Sequence, residues 1–152
     1  MTTMIETLAA DGPFPDHADA LQTFGRLVGE WEFDVANYGE DGEVAERGSG
    51  TWVWGWILDG RAVQDVWTVP GREHGTTVRF YDPKLDAWRV VWNGPVAGRQ
   101  DVFVARRAGE DGIVMDGDGV EWIFSEITEH SFRWRAEIEG RLVQEMRVRR
   151  RG

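Results

Sequence analysis

Cysteine is absent from the 152 residues, which removes disulfide frameworks, thiolate metal sites and cysteine nucleophiles at once. No apolar stretch approaches the roughly 18 residues of a membrane-spanning helix. The opening Met1-Thr-Thr-Met-Ile-Glu-Thr-Leu-Ala-Ala10 has neither the basic region nor the long apolar region of a secretory signal. These absences read as a soluble, cytoplasmic protein. Basic residues are scarce relative to acidic ones, 17 against 27, for a net charge of −10. That balance repels phosphate backbones and anionic head groups, so neither nucleic acid nor a membrane is expected as a partner. The arginines of Arg147-Val-Arg-Arg-Arg151 are a short exception, read as a solvated strand end because no aromatic residue is interleaved with them.

Histidine is scarce too. His17 lies at a helix entry, while His74 and His130 lie in turns. No His-x-His or His-Glu-x-x-His spacing occurs, and no histidine sits on an inward-facing stripe, so no metal, haem or other cofactor is expected. Ser49, between two glycines, lacks the strand-to-helix elbow that exposes a hydrolase nucleophile. No catalytic residue is assigned.

What the chain has is tryptophan on an extended backbone. In Gly48-Ser-Gly-Thr-Trp-Val-Trp-Gly-Trp-Ile-Leu-Asp-Gly60 the residues Trp52, Trp54 and Trp56 recur at every second position, and a strand places such residues on one face. The same period continues to the C terminus. Extended runs are expected at 30–38, 44–57, 61–69, 75–81, 87–93, 98–106, 112–116, 119–127, 131–139 and 141–150, separated by turn signals such as Asp59-Gly60, Pro70-Gly71, Asp82-Pro83 and Gly117-Asp-Gly119. Links this short join antiparallel neighbours, because parallel strands need long crossovers. The fold class that follows is all-β: a single closed antiparallel meander barrel of about ten strands, which leaves no exposed edge. A two-sheet sandwich is the alternative architecture. The length suits one domain, able to bury roughly two thirds of its unfolded surface.

Ahead of the strands, residues 1–16 read as a mobile or draped arm, with Asp11-Gly-Pro-Phe-Pro-Asp16 as its turn-rich part. Residues 17–28 place Ala20, Leu21, Phe24, Leu27 and Val28 on one stripe of an amphipathic helix, for which Asp16 is the expected cap. Such a short helix depends on tertiary packing, so it should close the barrel end where Trp31 enters, with ligand coming in from the opposite end between the hairpin turns, or past the helix if it opens as a lid. Residues 17–152 then form the one domain.

Alternation assigns the inward faces. Trp31, Phe33 and Val35; Trp88, Val90 and Trp92; Phe132, Trp134, Ala136 and Ile138; and Leu142, Gln144, Met146 and Val148 each share a face. Gly60-Arg-Ala-Val-Gln-Asp-Val66 echoes Gly140-Arg-Leu-Val-Gln-Glu-Met146, which suggests that Gln64 and Gln144 supply polar contacts at comparable levels. The candidate ligand-binding residues are therefore Trp52, Trp54, Trp56, Gln64, Trp88, Trp92, Trp134, Gln144 and Met146. A flat or apolar small molecule is the expected partner, and homodimer formation stays open. The competing reading is a cyclase or isomerase, in which Asp65, Asp101 or Glu121 faces inward as general base and Gln64, Gln144 or Asn93 orients a carbonyl. Its bland counterpart places each carboxylate outside, paired with an arginine such as Arg61, Arg79 or Arg99.

Gly29-Glu-Trp31, directly after the amphipathic segment, resembles the Gly-x-Trp signature of the lipocalins and wider calycin barrels. With Leu27-Val-Gly-Glu-Trp31, Gly48-Ser-Gly50, Leu58-Asp-Gly-Arg61, Tyr81-Asp-Pro83 and the run Trp88 to Trp92, residues 20–150 resemble bacterial lipocalin-like proteins. The resemblance implies a closed barrel with a central cavity. It also implies a basic residue of the last strand, Arg147 or Arg149, packed on Trp31.

Overall fold

The computed structural model describes all residues from 1 to 152. Period-two alternation becomes ten strands: β1 (Gly29–Tyr38), β2 (Val44–Ile57), β3 (Ala62–Val69), β4 (Glu73–Asp82), β5 (Ala87–Gly94), β6 (Arg99–Arg107), β7 (Ile113–Gly117), β8 (Val120–Ser125), β9 (Ser131–Ile138) and β10 (Arg141–Arg150). Each strand pairs antiparallel with its sequence neighbours, and β1 pairs with β10, from Trp31 opposite Arg150 to Asn37 opposite Gln144. The sheet is thus a closed meander barrel, and every strand finds backbone partners on both sides. No helix is long and apolar enough to cross a membrane.

The N-terminal segment carries two helices, α1 (Met4–Leu8) and α2 (Ala18–Gly25). In α1, Thr3 caps the Glu6 N–H and the Glu6 carboxylate returns to the Thr3 N–H, a reciprocal capping box. Between the helices the arm lies along the end of β2: the Ala10 N–H donates to the Trp56 carbonyl, and the Phe14 N–H to the Gly60 carbonyl. Gly60 has φ of +80°, and a Cβ there would collide with the Gly12–Phe14 backbone. The glycine of this turn therefore serves the arm as well as the hairpin.

Helix α2 is shorter than the expected 17–28, and it is not capped by Asp16. His17 occupies the cap position in a left-handed conformation, φ 62°, with no side-chain cap bond, which leaves Asp16 one residue too far from the first-turn N–H groups. The apolar stripe does what its pattern requires. Leu21, Phe24 and Leu27 are all buried, and Phe24 packs among Trp54, Trp88 and Phe124. A Cβ on Gly25 would overlap the Trp56 ring, so this glycine sets how closely the helix approaches β2. Arginines latch the outside: Arg107 donates to the Thr23 hydroxyl at 2.7 Å and the Asp19 carbonyl at 2.6 Å, and Arg26 to the Glu110 carbonyl at 2.7 Å.

The same end holds the Gly-x-Trp turn. The Trp31 indole N–H donates to the Leu27 carbonyl at 2.7 Å, and a guanidinium lies 4.1 Å from the indole centroid. That guanidinium belongs to Arg150, not to Arg147 or Arg149. Counting from the register explains the difference: Arg150 pairs with Trp31 and shares its inward parity, whereas Arg149 turns outward to Glu32 and Asp34. Arg150 also donates to the Val28, Arg26 and Glu129 carbonyls. Gly29, at φ +138°, has no side chain where the Arg150 guanidinium passes. The glycine, the tryptophan and the arginine form one packing unit.

Candidate ligand cavity

Away from α2, the barrel interior opens into a cavity of about 420 Å³ lined by residues of nearly every strand. Its mouth lies among the turns following β1, β3, β5, β7 and β9, at the end opposite the helix. The volume falls within the range of about 300–1,000 Å³ usual for small-molecule sites.

The wall is a collar of indoles. Trp67 on β3 meets Trp92 on β5 at 6.0 Å, edge to face; Trp92 meets Trp122 on β8 at 6.3 Å; and Trp122 meets Trp134 on β9 at 5.3 Å. Trp52 and Met146 stand in the same lining, and the Trp67 N–H points at the Met146 sulfur at 3.2 Å. Of the residues expected to bind ligand, Trp52, Trp92, Trp134, Gln144 and Met146 are brought together here. Trp54, Trp56 and Trp88 are inward but lie toward α2, packed in the solid half of the barrel.

Gln64 is placed elsewhere. It lies on the outer face, where its amide donates to the Thr76 hydroxyl at 2.8 Å. The two matching segments diverge because β10 carries a register shift between Leu142 and Gln144 opposite β9. This irregularity brings Val143 and Gln144 both into the cavity lining, while unbroken alternation on β3 sends Val63 inward and Gln64 out.

The three carboxylates separate. Asp65 is inward and buried, and it accepts from Arg79 at 2.6 Å and from the Thr77 backbone N–H at 3.2 Å. Burial pushes its carboxyl above the usual range; the Arg79 charge and hydrogen bond oppose that, with the nearby Trp52 indole adding a weaker pull outside strict hydrogen-bond geometry. The same desolvation pulls the Arg79 guanidinium down. The guanidinium is sandwiched 4.1 Å from the Trp54 centroid and 5.0 Å from that of Phe24. This pair lies beneath the cavity, which Trp52 and Thr77 line above it. Asp101 lines the cavity near its mouth but is bonded to Arg99 at 3.2 Å. Glu121 is exposed on the outer face opposite Asp116, and hydrogen-bonding interaction with the Asp116 carboxyl, ahead of slight desolvation, pushes its carboxyl up. Asn93 lies outside the main lining and accepts from Gln100 at 2.8 Å.

Charges at the mouth are already engaged. Arg72 pairs with Glu46 at 2.6 Å, and Glu73 accepts the Val96 and Ala97 N–H groups at 3.1 Å, which fixes the turn after β5. Within the lining, Asn37 and Gln144 face each other across β1 and β10 and bond at 2.7 Å. No group of His, Cys, Asp and Glu side chains has the arrangement of a metal site.

Sequence reasoning missed Trp67 and Asn37. Both signals were present: Trp67 has the parity of Val63 and Asp65, and Asn37 that of Trp31, Phe33 and Val35.

No protein-family model matches the chain, and no curated protein matches it. Among solved structures, the barrel is similar to a crystal structure of a protein of unknown function from the DUF3598 family of Nostoc punctiforme. The two share 9% identity over 87% of this chain and 99% of the other, with a TM-score of 0.30.

Proposed function

We propose that this protein binds a small apolar or aromatic molecule in the open-end cavity, as a lipocalin-like barrel. The observation that carries the reading is the cavity itself, about 420 Å³ of space surrounded by indoles and Met146. A barrel that used its tryptophans only as core would close that space, because interiors otherwise pack to crystal-like density. Trp54, Trp56 and Trp88 do behave as core, so the indoles divide between the solid half and the lining. The Gly29, Trp31 and Arg150 unit supports the lipocalin-like assignment.

The carboxylates favour binding over cyclase or isomerase chemistry. A general base in the lining needs a free carboxylate. Asp65 and Asp101 each hold an arginine, and Glu121 lies outside.

Intrinsic tryptophan fluorescence, titrated with fatty acids, retinoids, flavonoids and haem, tests the proposal. Saturable quenching or a spectral shift with at least one class is expected. No response to any of them would reject the reading.

A further inference from the structure

Besides the buried, unpartnered indole N–H groups of Trp52 and Trp134, the lining contains one polar pair whose hydrogen-bonding capacity the barrel does not use up. Asn37 and Gln144 are half-buried at opposed positions of β1 and β10, and their mutual bond at 2.7 Å is the sole hydrogen bond made by either side chain. Each side-chain amide has a carbonyl acceptor and two N–H donors. One bond between two amides consumes one N–H and one carbonyl lone pair. Whichever way the two groups are turned, one carbonyl without a partner and one unused amino group remain on the pair. Their surroundings are apolar: Met146 and Val143 on β10 and Ala136 on β9, the last directly opposite Gln144 in register. Ala136 is small, which leaves room beside the amides. These groups are open to the cavity, so a ligand polar group can take the place of water on them.

The remaining lining narrows what that partner is. The rim arginines are not a free anion site, since Arg72 holds Glu46 and Arg99 holds Asp101, and the net charge of −10 disfavours an anion. A carboxylate head group therefore has little to recognise it. The collar of Trp67, Trp92, Trp122 and Trp134 instead offers faces and edges suited to a flat ring system.

Building on the ligand-binding reading above, we infer that the cavity selects a neutral, flat heterocycle carrying a carbonyl beside an N–H, a lactam or imide edge, which the Asn37–Gln144 pair reads. The ligand N–H donates to the free amide carbonyl, and the ligand carbonyl accepts from the free amide N–H.

Three probes of one shape separate this inference from the simpler reading: naphthalene, isoquinolin-1(2H)-one, and its N-methyl derivative, which keeps the carbonyl and loses the N–H. Affinities are measured by equilibrium dialysis on the full chain and on Gln144→Met and Asn37→Leu, each checked for folding by its melting transition. On the parent chain, isoquinolinone should bind about tenfold more tightly than naphthalene, the worth of roughly one net hydrogen bond, and N-methylation should remove most of that advantage. Both substitutions should erase the preference. Equal affinity for all three probes on the parent chain, or a preference that survives both substitutions, overturns the lactam inference and leaves ligand binding standing. No binding of these probes overturns the lactam inference, and no binding of the fluorescence ligands as well overturns both.

Discussion

Phe24→Ala tests how the barrel is closed. The ring is fully buried, with centroids 6.2 Å from Trp54, 5.0 Å from Trp88 and 5.8 Å from Phe124, and the Arg79 guanidinium stands 5.0 Å away. Truncating a core phenylalanine costs about 3–5 kcal/mol. Three aromatic neighbours and a buried cation place this site in the upper part of that range, because the surrounding rings are held by other strands and cannot collapse into the gap. For a domain of this size each kcal/mol lowers the melting midpoint by about 2–4 °C, so a fall of roughly 8–20 °C is expected. Calorimetry or circular dichroism measures it, with Gln22→Ala as a control on the exposed side of the same helix, where the change should stay within about 0.5 kcal/mol. Adding Leu21→Ala, a second buried residue of the same helix, should lower the midpoint further. A midpoint for Phe24→Ala within about 2 °C of the parent would mean that α2 does not plug the barrel, and the account of its closed end would fall.

Three further perturbations address separate parts of the structure. Asp65→Ala should destabilise the fold by about 3–5 kcal/mol, because it strands the Arg79 charge among Trp54 and Phe24, whereas the double change Asp65→Leu, Arg79→Met should recover most of the loss; equal loss in both, by denaturant unfolding, would contradict the ion-pair reasoning. Arg150→Ala removes the guanidinium from Trp31 and from three backbone carbonyls and should cost about 2 kcal/mol or more, while Arg149→Ala, on exposed pairs, should cost under about 1 kcal/mol; the reverse order in thermal melts would refute the assignment of Arg150 as the packing residue. Glu121 titrates above the ordinary glutamate range because of Asp116. A carboxyl raised in the folded state contributes stability that is present below its unfolded pKa and is lost as pH rises through the folded one. Glu121→Gln should therefore reduce the decline in stability across that acidic window, and an unchanged pH profile would count against the Asp116 contact.

The barrel was legible because each strand repeats apolar-in and polar-out over its length, and because Gly and Asp punctuate the turns. The Trp31 end is legible in outline, but the expected Arg147 or Arg149 gives way to Arg150, because parity with Trp31 decides which arginine turns inward. Parity also decides Asp65. It lies between Val63 and Trp67 on one face, so it had to be inward if they were, yet a carboxylate in a core looks wrong until Arg79, equally inward on the neighbouring β4, supplies the charge. Gln64 and Gln144 show the opposite failure: closely similar local sequence, opposite faces, because a register shift in β10 depends on how β9 pairs and leaves no mark on the segment itself. Residues 1–16 read only as an arm because their prolines and glycine dominate, while the Thr3-x-x-Glu6 spacing that caps α1 went unread. What sequence could not supply was the level at which the solid core gives way to open space. That boundary depends on how far Phe24 and the Asp65–Arg79 pair fill the barrel from the helix end.

The claim that this open space is a ligand site is tested most directly by filling it. Ala136 lines the cavity, buried beside Trp122 and Gln144 in register, and Ala136→Phe projects a ring into vacant volume, where added bulk costs least. With naphthalene, isoquinolinone and the fluorescence ligands as probes, calorimetric titration should give saturable binding of about one molecule per parent chain for at least one of them and none to Ala136→Phe, with the melting midpoint of the variant equal to or above that of the parent. Binding that is undiminished in a folded Ala136→Phe, or absent from the parent chain, would contradict the account.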